Sequence, residues 1–253
     1  MDALILAGGE APPELLERTQ DGDRALIELE GRTLLSHVYE ALRATPGIER
    51  IAVAARPTTL RLLQSVAPGA IAAEAAGTMM DTVLAGLKAL DAPEVLVSTC
   101  DIPLVRGATF TELIEKTRER NLEACYPIVR REVCQAQFPE GKRTYGHVKE
   151  GAFTAGNAVI VQSHVIEPMM DFFKAAYNSR KNPLGMARLF GAGFLVKALT
   201  RQLRVAEAEA TMSRLLGCRA GAIEMQDASI AFDIDKIEDY TVAQQALRQL
   251  KQS

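Results

Sequence analysis

Short apolar runs alternate with helix-like segments over the first 120 residues, and few folds accommodate such an alternation. Ala3–Ala7 and Ile51–Ala55 are apolar runs that end at a glycine or shortly before a proline, as buried strands do. Between them, apolar residues recur on one face of a helix at Leu34, Leu35, Val38, Ala41 and Leu42. The pattern predicts an α/β fold, a Rossmann-like and mostly parallel sheet flanked by helices.

The same patterns extend over the whole chain. In the first half they predict strands at 3–7, 51–55, 70–73 and 95–99, and helices at 34–42, 59–66, 82–90 and 110–120. In the second half they predict strands at 124–129, 133–138, 158–161 and 229–232, mostly helix over 164–216, and a final helix. No repeat or linker divides the sequence, so we expect one domain over 1–253, with a helical elaboration near 164–217.

Composition excludes several classes of function. The net charge of -3 and the low aromatic content, 5% with no Trp, argue against a nucleic-acid partner. The four cysteines lack the spacing of a zinc site and are expected to be reduced thiols. No apolar run reaches the roughly 20 residues of a membrane span. We expect a cytoplasmic protein.

Polar and glycine residues follow two of the predicted strands. Ligands of open α/β sheets bind at the carboxyl ends of the strands, where Gly8, Gly9 and Asp101 would lie. Two glycines allow a phosphate to approach the backbone closely, but they also form ordinary tight turns. The loop contains neither the dinucleotide-binding nor the Walker glycine pattern, which argues against both of those phosphate sites.

Three aspartates are candidate cation ligands. Asp101 either binds Mg²⁺ or caps the following turn. Asp233 and Asp235 share one face if the segment is extended, and carboxylates held together favour a bound cation. Alternatively, Asp235 caps the final helix, with Glu238 three residues later completing an acidic capping box. Both interpretations of Asp235 can hold together.

Four motifs in a fixed order carry a family resemblance. They are Leu6–Gly9, Arg24–Ile27 with Gly31–Leu35, Cys100–Pro103, and Asp233–Asp235 with Glu238–Tyr240. This order resembles the MobA-like NTP transferases, which belong to the nucleotidyltransferase superfamily with the glycosyltransferase-A-like fold. The resemblance covers about residues 2–160 and 225–250.

The resemblance implies a magnesium-dependent transfer of NMP from an NTP, with release of pyrophosphate. CTP or GTP would be the nucleotide, and the acceptor a small molecule with a phosphate or hydroxyl group. The implied nucleotide-binding residues are Leu6, Ala7, Gly8, Gly9, Arg24, Thr82 and Asp101, of which Arg24 and Asp101 would be catalytic. The implied metal ligands are Asp101 and Asp235, with Asp233 beside them, and the implied acceptor residues are Gly156 and Asn157.

Two further segments have more than one interpretation. The basic stretch that contains Arg143 and Lys149 either binds an anionic acceptor or forms a solvated hairpin turn. The apolar stretch 184–216 either packs in a core, covers the acceptor, forms a dimer surface or contacts lipid peripherally.

The sequence also departs from the family pattern. The first loop lacks the usual Arg-Met-Gly, and Arg24 stands where the family has a phosphate-binding lysine. These departures favour one alternative, a non-catalytic nucleotide-binding protein. The other alternative, a sugar-nucleotide glycosyltransferase, would require an Asp-x-Asp motif, whereas Ile102 and Pro103 follow Asp101.

Overall fold

The computed structural model describes residues 1–75, 77–179 and 182–252. In these residues the strands are β1 Asp2–Ala7, β2 Glu28–Leu29, β3 Arg32–Thr33, β4 Ile51–Ala55, β5 Ile71–Glu74, β6 Glu94–Thr99, β7 Ala124–Arg130, β8 Gly146–Val148, β9 Gly151–Ala155, β10 Ala158–Gln162 and β11 Ala220–Met225. The α-helices are α1 Leu34–Arg43, α2 Pro57–Arg61, α3 Leu63–Val66, α4 Met79–Leu90, α5 Gly107–Glu119, α6 Arg131–Gln137, α7 Ser163–Ser179, α8 Pro183–Phe190, α9 Ala192–Leu199, α10 Val205–Leu216 and α11 Ile237–Gln252. Short 3-10 helices span Pro13–Arg18, Arg24–Leu26 and Ala228–Ala231.

One mixed sheet of nine strands organises the described residues. Its order is β5-β4-β1-β6-β10-β7-β9-β8, and β11 pairs with β7 outside this path. Strands β5, β4, β1 and β6 are parallel, whereas β10 is antiparallel to both β6 and β7. The predicted α/β class with a mostly parallel, helix-flanked sheet is confirmed.

Helices cover both faces of the sheet. Helix α1 begins after Thr33, whose side chain caps the backbone amide of Ser36, and it buries Leu35 and Val38 in the larger core. Helices α4, α7 and α10 pack on the opposite face around Leu4. A Cβ built on Gly86 of α4 would lie 2.3 Å from Leu4 Cδ1, so glycine is what allows α4 to approach β1 so closely.

Two predicted strands are wrong. The segment 133–138 lies largely in helix α6, where Cys134 and Phe138 stand one turn apart and both contact the core. The segment 229–232 forms the 3-10 helix Ala228–Ala231, because the Asp227 side chain accepts a hydrogen bond from the Ser229 amide and caps it. Both are short apolar runs, for which strand and helix patterns are alike. The strand of this region is β11, which the sequence did not predict.

The helical elaboration has two parts. Helices α7 and α10 pack on the sheet through Met169 and Leu216. Helix α8 contacts both α7 and α9, but no side chain of α9 is buried against the described residues. Leu184 and Leu199 remain exposed there. Core packing therefore holds for α7 and α10 and not for α8 and α9. No helix in the described residues is long and apolar enough to cross a membrane.

Candidate active site

A cleft of about 510 Å³ opens at the carboxyl ends of β1 and β6. Its lining includes six positions that the sequence analysis named, which are Leu6, Gly8, Gly9, Arg24, Thr82 and Asp101. Ala7 differs from these, because its side chain is buried in the core on the other face of the sheet. The site lies where the topology of an open α/β sheet predicts it.

Gly8 allows close contact between the first loop and the end of β5. A Cβ built on Gly8 would lie 2.9 Å from Ala75 Cβ, which is closer than two carbon atoms approach. At Gly9 the nearest atom to such a Cβ is Arg24 Cδ at 3.7 Å, an ordinary contact. The two glycines therefore have different roles, although they are adjacent.

We expect Gly8→Ala to lower the free energy of unfolding by about 1–3 kcal/mol, because the added methyl group overpacks the loop against Ala75. Gly9→Ala is the matched control and should change it by less than about 1 kcal/mol, because its methyl group makes only an ordinary contact with the Arg24 side chain. Urea unfolding of both variants measures the difference. Equal losses would contradict the assignment of the close contact to Gly8.

Arg24 connects two carboxylates at the edge of the cleft. Its Nη1 donates to Asp101 Oδ2 at 2.7 Å and to Asp235 Oδ1 at 3.2 Å. Two bonds to the first loop position it, since the Arg24 amide donates to Gly9 O and Nε donates to Glu10 O. Burial disfavours the charged guanidinium, but the hydrogen bond and charge of Asp101 and the charge of Asp235 outweigh it and raise the pKa of Arg24.

Asp101 has one carboxylate oxygen without a partner. The residue is 7% exposed, and its Oδ1 is buried with no hydrogen bond among the described residues. Thr99 Oγ1, in the same cleft, is in the same state. Buried polar atoms are nearly always satisfied, so these two atoms, which belong to residues that line one cleft, are candidates for contact with a bound group.

The two late aspartates point to different partners. Asp235 contacts Arg24, whereas Asp233 Oδ1 lies 3.8 Å from Nε of Arg143. Burial raises the pKa of Asp233 to about 6, Arg143 opposes this, and the charges of Asp101 and Asp235 add to it. The Asp235 amide donates to Asp239 Oδ2, while the Asp235 carboxylate bonds to Arg24.

Arg143 holds the segment that carries these aspartates. Its Nη1 donates to Asp239 Oδ1 and its Nη2 to Asp233 O, both at 2.9 Å, and Nε donates to Ala231 O at 3.1 Å. The guanidinium also lies over the Phe232 ring, 4.2 Å from its centroid. With its side chain 9% exposed, Arg143 is engaged by its own chain. Its acceptor role stays a prediction.

The family of the chain follows from a comparison with a protein-family model. The model of the MobA-like NTP transferase domain matches residues 3–219, most of the chain.

The chain belongs to the MobA-like NTP transferase family.

The motif resemblance is thereby confirmed. A hypothetical transferase from Thermus thermophilus is 31% identical with a TM-score of 0.80, and the match covers 94% of this chain and 98% of that one.

More distant structures share the MobA-like fold. A 4-diphosphocytidyl-2C-methyl-D-erythritol synthase from Anaerococcus prevotii is 14% identical with a TM-score of 0.61, over 98% of this chain and 95% of the other. A CMP:2-keto-3-deoxy-manno-octonic acid synthetase, solved with CTP, is 13% identical with a TM-score of 0.62, over 99% of this chain and 100% of the other. At these identities the likeness shows the nucleotide-diphospho-sugar transferase fold. No curated protein matches the chain significantly.

The acceptor-side residues that the MobA-like pattern implies lie at two places. Asn157 follows Gly156 at the start of β10, and its carbonyl accepts a hydrogen bond from the Thr99 amide at 3.1 Å, so it borders the cleft. Lys149 is exposed in the turn between β8 and β9 and does not line the cleft. The hairpin-turn interpretation therefore describes Lys149 well, and its acceptor role stays a prediction.

One cleft residue of this MobA-like chain was missed. Arg56 lines the cleft and pairs with Glu10, Nη1 to Oε1 at 3.7 Å. The Glu10 side chain is 85% exposed and turned to Arg56, so its charge is partly neutralised. Arg56 directly follows β4, and the carboxyl-end rule that singled out Asp101 would have found it.

The residues present fit a magnesium ion held jointly with substrate. No cluster of three or more His, Cys, Asp or Glu side chains that could hold a metal occurs among the described residues. Mg²⁺ needs no such cluster, because it takes one or two carboxylates and completes its shell with phosphate oxygens and water. Asp101 offers a buried, unpartnered oxygen, and Asp235 lies across Arg24 from it.

Proposed function

We propose that this protein is a magnesium-dependent nucleotidyltransferase. It transfers NMP from an NTP, CTP or GTP, to a small acceptor with a phosphate or hydroxyl group, and pyrophosphate is released. One observation carries the proposal. Arg24 bridges Asp101 and Asp235 at the edge of the cleft that Gly8 and Gly9 line, so a guanidinium and two carboxylates meet beside a cleft of about 510 Å³.

The cleft residues divide the work of binding a triphosphate. Gly9 leaves room for phosphate oxygens beside the backbone, whereas Gly8 packs closely against Ala75. Thr78 and Thr82 line the wall formed by the start of α4. Asp101 and Asp235 would hold Mg²⁺, which when bound neutralises phosphate charge and orients the reacting groups. Among the described residues, Arg24 and Arg56 are the positively charged side chains that line the cleft.

The reaction is an in-line displacement at the α-phosphorus. An acceptor oxygen forms the new bond, and the bond from the α-phosphorus to the oxygen that bridges to the β-phosphate breaks. The electron pair leaves with pyrophosphate, and a hydroxyl acceptor loses its proton to water. Once Asp101 and Asp235 take other partners, the Arg24 guanidinium is available to pair with the departing phosphates.

A covalent intermediate is not needed. Cys100 directly precedes Asp101, belongs to the cleft lining and is buried. Burial, reinforced by the charge of Asp101, raises the pKa of the Cys100 thiol well above its usual range. A neutral thiol is a poor nucleophile, which supports direct transfer.

The glycosyltransferase alternative is weaker on this geometry. In an Asp-x-Asp motif that began at Asp101, the second carboxylate would stand two residues later, and that position is Pro103. The non-catalytic alternative makes a different prediction, which is nucleotide binding without release of pyrophosphate.

The test is a thermal-shift series with CTP, GTP, ATP and UTP, each with Mg²⁺ or with EDTA. A nucleotide at 100 times its Kd stabilises the fold by about 2.7 kcal/mol, which is roughly 5–10 °C for a chain of this size. We expect such a shift with one nucleotide and its loss in EDTA. A shift that survives EDTA would contradict the metal assignment. A shift without pyrophosphate release from any phosphate or hydroxyl acceptor would favour the non-catalytic alternative.

A further inference from the structure

A second cavity, of about 470 Å³, lies between the sheet and helices α7 and α10. This volume is within the range of small-molecule sites, about 300–1,000 Å³. Its floor is formed by strand residues such as Tyr126, Ile128 and Val159, and its walls by helix residues such as Met169, Phe172 and Met212. Met and aromatic side chains of this kind adapt to apolar ligands of irregular shape.

The walls offer no free charge. Glu209 is the only charged side chain among the described residues that line the cavity. Its Oε1 accepts hydrogen bonds from the Ala222 amide at 2.7 Å and from Arg120 Nη2 at 3.0 Å, so its charge is already paired within the protein. A charged or strongly polar ligand would lose its hydration here without compensation, whereas a hydrocarbon would not.

The apolar cavity adjoins the nucleotide cleft on the same face of the sheet. Val159 of β10 is paired with Val97 of β6, and the two strands are antiparallel. Asn157, two residues before Val159, therefore stands opposite Thr99, two residues after Val97. Side chains two residues apart share a face, so Val159, Asn157 and Thr99 stand on one surface. Thr99 lines the nucleotide cleft and Val159 lines the apolar cavity. Asn157 lies beside both of these residues.

The cavity is also open towards an apolar surface. Phe173 of α7 and Tyr126 of β7 line it and are 48% and 44% exposed, so the cavity reaches the surface at these two residues. Helix α8 packs on α7, and the α8–α9 pair exposes Leu184, Val196 and Leu199. An apolar patch that leads to an apolar cavity provides a path for a hydrocarbon chain that is itself poorly soluble.

We propose that this cavity binds the hydrocarbon portion of the acceptor, a single aliphatic chain that carries a hydroxyl or phosphate group at the end near Asn157. The role of that ligand as acceptor rests on the proposed nucleotidyl transfer, whereas its binding in the cavity does not. The acceptor is then a lipid-like alcohol or phosphate monoester rather than a fully polar metabolite.

The first test uses butyl, hexyl, octyl and decyl phosphate below their micelle concentrations, with the unmodified protein and isothermal titration. Each added methylene that enters an apolar cavity should tighten binding about fourfold. Affinity that does not depend on chain length would overturn the proposal.

The second test fills the cavity. Ala208 of α10 lines it, whereas Ala210 on the same helix is exposed and does not. We expect Ala208→Trp to reduce decyl phosphate affinity to the level of butyl phosphate and Ala210→Trp to leave it unchanged. The protein has no natural Trp, so the indole emission of each variant reports whether the new side chain is buried. Unaltered decyl phosphate binding by a folded Ala208→Trp would place the chain on the exposed α8–α9 surface and overturn the proposal.

The two proposals fail in different ways. If chain length governs binding but no nucleotide yields pyrophosphate, the cavity assignment stands and nucleotidyl transfer does not. If pyrophosphate is released as efficiently with short polar acceptors as with long-chain ones, nucleotidyl transfer stands and the cavity assignment is wrong. The thermal shift given by Mg²⁺ and nucleotide should be the same in Ala208→Trp and Ala210→Trp, because neither position lines the nucleotide cleft.

Discussion

Asp101→Asn is expected to lower the rate of pyrophosphate release by about 100-fold or more. Asparagine keeps the shape of the side chain but removes the charge that Arg24 contacts and that a magnesium ion requires. Metal-borne charge stabilisation contributes several kcal/mol to such transition states, and each 1.36 kcal/mol is a factor of ten in rate. The measurement is pyrophosphate release at saturating nucleotide, with thermal unfolding to establish that the variant is folded.

Asp91→Asn is the control for this change. It removes an exposed carboxylate at the far end of α4, at a left-handed position that asparagine tolerates. We expect its rate and its magnesium-dependent thermal shift to match those of the unmodified protein. If Asp101→Asn retained both within a few-fold, the catalytic and metal-binding roles of Asp101 would be wrong.

Arg143→Met is expected to cost the largest amount of stability, about 3–5 kcal/mol. The change leaves the Asp239 carboxylate, 3% exposed, without its 2.9 Å ion pair, and removes the donors to Asp233 O and Ala231 O. Breaking one side of a buried ion pair costs this much because the remaining charge stays buried. Thermal unfolding should shift down by roughly 6–20 °C.

Lys149→Met tests the same basic stretch at an exposed position and should change stability by no more than about 0.5 kcal/mol. The pair of variants also separates structure from acceptor binding. An Arg143→Met protein of unchanged stability but weakened acceptor affinity would show that Arg143 binds substrate and that its contacts with Asp239 contribute little.

The part of the site that follows strand ends could be predicted from sequence. Gly8 comes directly after one buried strand and Asp101 after another, and the carboxyl ends of parallel strands meet at one edge. Local sequence therefore determines both positions. Thr82 lines the same cleft, but the family resemblance rather than a local pattern pointed to it.

The different ion-pair partners of Asp233 and Asp235 could not be predicted. It depends on which of two arginines each faces, and Arg24 and Arg143 lie far away in the sequence. The role of Arg143 was missed for the same reason, since its partner Asp239 is 96 residues away. A charge run in a sequence gives no sign of such distant pairing.

The apolar cavity was hidden by the pattern that usually indicates packing. Met169 and Met212 fall at apolar positions of α7 and α10, as residues of a closed core would. Periodicity reports which face of a helix is apolar, but not whether the space beneath it is filled. That depends on the distance between helix and sheet, which a single sequence does not encode.

Arg24 is an internal counterion between two acids, and its charge balances one of their two negative charges. A free divalent cation that binds both aspartates displaces the Arg24 guanidinium and leaves it without a partner. A cation bound to a triphosphate also supplies phosphate oxygens, which can pair with Arg24 instead. In the proposed reaction, metal and nucleotide would therefore strengthen each other's binding, and by the same factor, because coupling is reciprocal. The arginine at the position of the family lysine would then favour binding of the metal–nucleotide pair over binding of either component alone.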